Sequence, residues 1–278
     1  MHSEFVVSSE DEFNLSKAEL SIRNHCNKTF VSHQYMPHPF HMTVPFTVPG
    51  DPENFLTLYL QSSSGGLYDN DEHELNVDLS KKSNFHLTTQ ASTIVHEAKR
   101  NKGCKQNITF KIKEDSYLEY LPDPIILMAG SKYSGAINVE IEKNARAVFC
   151  DSYVIHDPRG NNEFFVDCFN ETRVFYDKKL VFDDKYYVLG KDYLSRNGNY
   201  KCSGTVYIFG VSEELLDILQ DQLSDFGKCY FGCSIVAEKN IVIRLLADDA
   251  IILTNAINSI WESTRKCITG LKPNRRRK

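Results

Sequence analysis

The side chains of this 278-residue chain with the most chemical reach are carboxylates, imidazoles and thiols. Asp69, Asp71, Glu72 and Glu74 crowd one predicted loop after Gly65-Gly66. Oxygen donors at that density suit a hard cation, but the calcium-loop pattern D-x-[DN]-x-[DN]-G is broken here. A glycosidase would need two carboxylates across a cleft, and a β-rich chain this acidic can supply them. All nine histidines fall within the first 156 residues, and His38-Pro-Phe-His41 is their tightest pair. Two imidazoles without a third ligand make a poor metal site. The eight cysteines are sparse and contain no C-x-x-C. Cys229 and Cys233 fall on one face of a predicted strand, which makes them packed thiols rather than half of a zinc site. Glycine loops that cradle phosphate, the G-x-S-x-G elbow and the H-E-x-x-H helix are all absent.

The elements that must position these groups are mostly strands. Leu75 to Leu79, Ile108 to Ile112 and Ile137 to Ile141 each alternate apolar and polar residues, the period of a half-buried strand. A short polar turn follows each: Ser80 to Ser83, Lys113 to Ser116, Glu142 to Asn144. A second strand then follows, giving strand–turn–strand units about thirty residues long. A fourth hairpin turns at Asp177-Lys178-Lys179, between Arg173–Tyr176 and Leu180–Asp184. Such units bury a face only by stacking, as a β-helix-like or layered β-sheet core; an antiparallel sandwich is the rival. After Gly198 the texture becomes β-α-β-β-α. Its first helix should be capped by Ser212 and stopped near Gly227, with Leu215, Leu216, Leu219, Leu223 and Phe226 on one face. The last should run from Asp248 or Asp249 to about Lys266, docked by Trp261. The expected organisation is a flexible stretch 1–14, one domain 15–270 (β core 15–198, α+β part 199–270) and a basic tail 271–278.

Charge and hydropathy exclude some function classes. Hydrophobic residues are 41% and charged residues 25%, which fits a packed globular chain. The net charge is −5, and Lys272, Arg275, Arg276, Arg277 and Lys278 put +5 at the end, which leaves −10 on residues 1–270. An acidic body does not suit a polyphosphate groove, so no nucleic-acid partner is expected. MHSEFVVSSEDEF lacks the basic and apolar regions of a secretory signal, and apolar runs such as Ile125–Ala129 are far too short to span a bilayer. These features predict a cytoplasmic protein without a membrane partner.

Read in order, the middle of the chain resembles a family. Leu58-Tyr-Leu60, Gly65-Gly66, Asp71-Glu72, Leu118-Glu-Tyr-Leu-Pro122, Asp151, Glu163, Arg173 and Asp184-Lys185 follow the sequence order of the urease accessory protein UreD, also called UreH. The last helix, with Trp261 ahead of a Pro-bearing tail, resembles the family's end. Departures mark a divergent member. Asp69-Asn70 replace a glycine pair, Gln90–His96 lacks the usual Lys, His38–Met42 replaces R-P-F-Y-P, and Asp184-Lys185 stands for Glu-Arg.

The resemblance implies an accessory chaperone rather than an enzyme. It implies a stacked, helix-like β-sheet with two α-helices, a complex with UreF, the GTPase UreG and apo-urease, and nickel insertion into urease. It also implies Ni²⁺ in transit through the interior and no tightly bound cofactor. Asp71, Glu72, Asp151, Glu163 and Asp184 would line that route, helped by hydroxyls such as Thr88. Oxygen donors hold Ni²⁺ more weakly than imidazole or thiolate and so release it. The alternative is a cytosolic glycan-active enzyme with a carboxylate pair.

Overall fold

The structure is a computed structural model, and it describes residues 13–158, 166–190, 197–198, 200–237 and 239–274. Among these, two sheets face each other. The first contains Asn14–His25 (β1), Lys28–Tyr35 (β2), Asp71–Leu79 (β5), Cys104–Ile112 (β8), Lys132–Ile141 (β11), Asp167–Tyr176 (β13) and Lys179–Leu189 (β14). The second contains Phe40–Met42 (β3), Phe55–Ser62 (β4), Asn84–Thr89 (β6), Tyr117–Leu121 (β9), Arg146–His156 (β12), Cys202–Phe209 (β15), Cys229–Val236 (β16) and Asn240–Ala247 (β17). Ile94–Val95 (β7) and Ile125–Met128 (β10) join it off the main path. The first sheet runs β14-β13-β11-β8-β5-β1-β2, and the second runs β16-β17-β15-β12-β9-β6-β4-β3.

The three alternating segments are β5, β8 and β11, and each turn hands the chain to the other sheet, into β6, β9 and β12. Neighbouring coils therefore pair in parallel, β5 with β8 and β8 with β11 in one sheet, β6 with β9 and β9 with β12 in the other. That settles the open choice in favour of stacked coils, since an antiparallel sandwich would pair sequential strands within a sheet. Each turn needs a left-handed residue, and Lys82, Asp115 and Asn144 take φ of 60°, 57° and 59°. Asn144 Nδ2 donates to Asp115 Oδ1 at 3.3 Å, tying one coil to the next. Inward side chains stack in register: Ile22, Leu79, Ile112 and Ile141 in the first sheet, Phe85, Leu118 and Ala147 in the second. They form the main core between the sheets. β13 and β14 close the first sheet as the antiparallel hairpin expected at residues 177–179.

Two helices, Glu214–Ser224 (α1) and Ala250–Thr269 (α2), cover the outer face of the second sheet. The α2 cap is the expected Asp249, whose Oδ1 accepts from Ile252 N at 2.9 Å. The helix runs three residues past Lys266, because Gly270 supplies the left-handed C-cap at φ 76°. The expected Ser212 cap is corrected. Glu213 is the cap residue and already helical, with no side-chain cap bond, and Leu215 N and Leu216 N bond back to the carbonyls of Ser212 and Glu213. Tight backbone bonds satisfy the first donors there. The helix ends at Ser224 with Asp225 as cap, ahead of Gly227. Leu215, Leu219 and Leu223 are buried on it, while Leu216 and Phe226 pack at the margin. A second correction concerns the acidic loop: Asp71, Glu72 and Glu74 lie on β5, because the loop ends at Asn70.

Residues 1–12 and 275–278, most of the expected flexible start and half of the expected basic tail, lie outside the described residues. Two of the four described tail residues make contacts with the body: Asn274 Nδ2 donates to Pro49 O at 2.6 Å, and Lys272 Nζ lies 3.3 Å from Glu262. Among the described residues no helix is long and apolar enough to cross a membrane.

Candidate functional site

Parallel pairing carries inward side chains across the first sheet in level rows. One row is polar where most of its neighbours are apolar: Ser16, His73, Gln106, Gly135, Asn170 and Tyr186, paired from β1 to β14, with Asp184 one row away at the β14 end. On one side of it lie Ala18, Leu75, Ile108 and Ile137. On the other lie Cys104, Tyr133 and Cys168. The second sheet faces this level with Asp151, Thr205 and Arg244, paired across β12, β15 and β17. A polar layer thus separates the main core from a smaller apolar cluster that contains Leu67, Val95, Tyr133 and Tyr153.

The layer is hydrogen-bonded from sheet to sheet. Asn170 Nδ2 donates to Asp151 Oδ2 at 2.5 Å. The Tyr207 hydroxyl donates to Asp184 Oδ2 at 3.0 Å and stands 3.5 Å from Asp151 Oδ2. Arg244 Nη2 closes the set on Asp184 Oδ1 at 2.6 Å. Towards β5, the Tyr133 hydroxyl donates to Gln106 Oε1 at 3.0 Å. Gly135 makes room at the centre, because a Cβ there would stand 2.3 Å from Asn170 Oδ1 and 2.8 Å from the Tyr133 hydroxyl. Cavities flank the layer. One of about 310 Å³ is lined by Phe40, His73, Thr89, Gln106 and Tyr120. Another, of about 320 Å³, is lined by Asp151, Tyr186, Thr205, Gly232 and Arg244. Each has room for several waters.

Burial, then the neighbouring Asp184 charge, push the Asp151 carboxyl up to about 7, against the pull of Arg244 and Thr205. Asp151 is therefore poised between acid and carboxylate near neutral pH. Burial also raises the thiols of Cys104, to about 12, and Cys168. Both line the interior in protonated form, as poor metal donors.

Of the residues expected on a cation route, the structure brings Asp151 and Asp184 together. Asp71 lies one row from His73 on the same inward face, with Oδ2 accepting from Tyr68 N at 2.8 Å. Glu72 points to the outer face, where Oε1 accepts from Asn107 Nδ2 at 3.2 Å. Glu163 lies outside the described residues. Thr88 faces the helices and donates to Leu121 O at 2.6 Å. The pair His38 and His41 gains no further ligand: among the described residues no three His, Cys, Asp or Glu gather into a metal-holding group.

Sequence reasoning missed Asn170, Tyr207 and Arg244. Arg244 left a signal as the one charge inside the apolar run Ile241–Leu246. It also missed a second buried cluster under α2. There Arg265 Nε donates to Glu119 Oε1 at 2.7 Å, Nη2 reaches Glu119 Oε2, and Nη1 reaches Asp51 Oδ2 at 2.6 Å. His86 Nδ1 lies 2.7 Å from Glu119, and its ring stacks on Trp261. The signals were a Glu inside Tyr117-Leu-Glu-Tyr-Leu121 and an Arg one turn after Trp261 on the apolar stripe.

A two-sheet stack of parallel coils, carrying a carboxylate pair in a hydrogen-bonded interior layer, defines a β-solenoid-like scaffold. The description "UreD urease accessory protein" matches residues 15–278, and the chain belongs to that family. It is 30% identical over 260 residues to urease accessory protein UreD 1 of Pseudomonas syringae pv. syringae, covering 90% of each chain. It is 32% identical over 259 residues to the UreD 1 of Methylorubrum populi, covering 90% of this chain and 87% of that one. A UreD 1 of Bradyrhizobium matches at 26% over 281 residues and the whole of both chains. The chain is an accessory chaperone with a role in urease maturation, and the glycan-active alternative falls with that assignment.

Proposed function

We propose that this chain acts in the cytoplasm as the part of a urease maturation complex through which nickel passes, bound to UreF, UreG and apo-urease. The observation that carries this reading is the polar layer between the sheets, with Asp151 and Asp184 linked to it through Asn170 and Tyr207. Burying two carboxylates there costs stability, so a β core built for packing alone has no use for them. Ni²⁺ is cargo, and its path needs donors that bind and release. Carboxylate, hydroxyl, amide and water oxygens meet that need, and Asp151, Asp184, Tyr207, Asn170 and Gln106 are of that kind. Buried neutral thiols beside them do not compete for the ion as thiolates would.

Co-expression with urease and its accessory proteins tests the reading. Asp151→Asn combined with Asp184→Asn should leave the complex intact on pulldown while nickel per urease active site falls at least about tenfold, the effect of removing both charged oxygen donors. Full nickel loading by the double variant would overturn it.

A further inference from the structure

We infer that Arg244 sets how long the carboxylate pair keeps a divalent cation, by competing for Asp184. The inference rests on the transit reading above. Both Asp184 oxygens are committed, one to Arg244 at 2.6 Å and one to Tyr207 at 3.0 Å. An ion of the nickel class needs several donors at once, so it draws on Asp151 and Asp184 together only after the guanidinium leaves. Departure is easy in one direction. The Arg244 side chain is 52% exposed while Asp184 is 11% exposed, so the arginine swings into water and the carboxylate stays. Across the β16–β17 pair stands Gly232, where a Cβ would meet nothing within 4 Å. That leaves space beside the guanidinium, at the mouth of the cavity of about 320 Å³.

Guanidinium stays charged at every physiological pH, so this competitor is always present. Two buried carboxylates without it would form a cation trap, whereas with it an entering ion gains only the difference between two ion pairs. Arg244 is thus a positioning residue that converts a binding site into a passage.

Equilibrium dialysis of the purified full chain against Ni²⁺ tests the assignment, with circular dichroism melts as the folding control. Arg244→Gln should bind Ni²⁺ about fivefold more tightly than the parent, the scale of one partly exposed ion pair. Arg244→Lys, which keeps the charge without the fork, should gain about twofold. Adding Asp184→Asn to Arg244→Gln should abolish the gain. In co-expression, Arg244→Gln should slow nickel appearance in urease. Unchanged or weaker binding by both arginine variants, or a gain that survives Asp184→Asn, overturns the inference. The two readings fail separately. If Asp151→Asn with Asp184→Asn starves urease while Arg244→Gln leaves affinity unchanged, only the role of Arg244 is lost. If the double carboxylate variant loads urease fully, transit itself is lost.

Discussion

Asp151 is 7% exposed under the second sheet, and its carboxyl is raised from 3.8 to about 7 by burial and by Asp184. The sign of the consequence follows from proton counting. Between those two values the folded chain holds a proton that the unfolded chain has lost, so rising pH through that window destabilises the fold. Asparagine has no such penalty and keeps an oxygen for Asn170. Asp151→Asn should therefore be more stable than the parent, with a gap that widens by about 2 kcal/mol between pH 5 and pH 8. Urea denaturation at the two pH values measures it, and an equal gap at both would remove Asp151 as the source. The family resemblance pointed to Asp151 and Asp184 from the sequence, but it did not indicate what they touch. Arg244 is 60 residues from Asp184 along the chain and meets it only because the two sheets pack face to face, which periodicity does not encode.

Strand–turn–strand units were legible because each half follows period 2 and each turn carries residues that tolerate a left-handed backbone. Which sheet receives each half was not legible, since alternation reads the same in parallel and antiparallel pairing. Helix α2 was legible through its cap and its stripe, but not through Arg265, which breaks that stripe and yet anchors it. Arg265 is 1% exposed and lies over the Phe55 ring at 4.0 Å. Burial opposes the charge on Glu119, but the Arg265 and His86 bonds prevail and hold its carboxyl near 2 instead of 4.5. A depressed acid contributes its full stability above 4.5 and loses it as pH falls towards 2. Glu119→Gln should thus cost about 3 kcal/mol at pH 6, with the deficit shrinking by about 2 kcal/mol at pH 3. Denaturant titrations of both proteins at the two pH values check this. A deficit independent of pH would show that packing, not the charge, docks the helix.

The two-sheet stack is divided by its own polar layer, and the division has a consequence for how the whole molecule opens. Hydrophobic burial drives cooperative folding, and hydrogen-bonded polar side chains contribute little net stability per group. Ile137, Val139 and Ile141 on β11 lie in the large core with Phe85, Leu118 and Phe149. Tyr133, two residues before Gly135 on the same strand, belongs to the smaller cluster with Leu127, Tyr153 and Cys168. A strand that crosses from a large apolar cluster through a polar layer into a small one should not exchange its amides as one unit. Native-state hydrogen exchange should show the amides from Ile137 to Ile141 opening only with global unfolding. Those from Tyr133 to Gly135 should open through a lower-energy local event that leaves the large core intact. β13 should divide likewise, between Asn170 and Val174. A passage for a hydrated ion needs such an interior: one part rigid enough to hold the two sheets in register, another able to part by the width of a water without unfolding the rest. Uniform protection along β11 and β13 would mean that the layer is as cooperative as the core beside it, and the proposed transit would then require a channel already open in the resting fold.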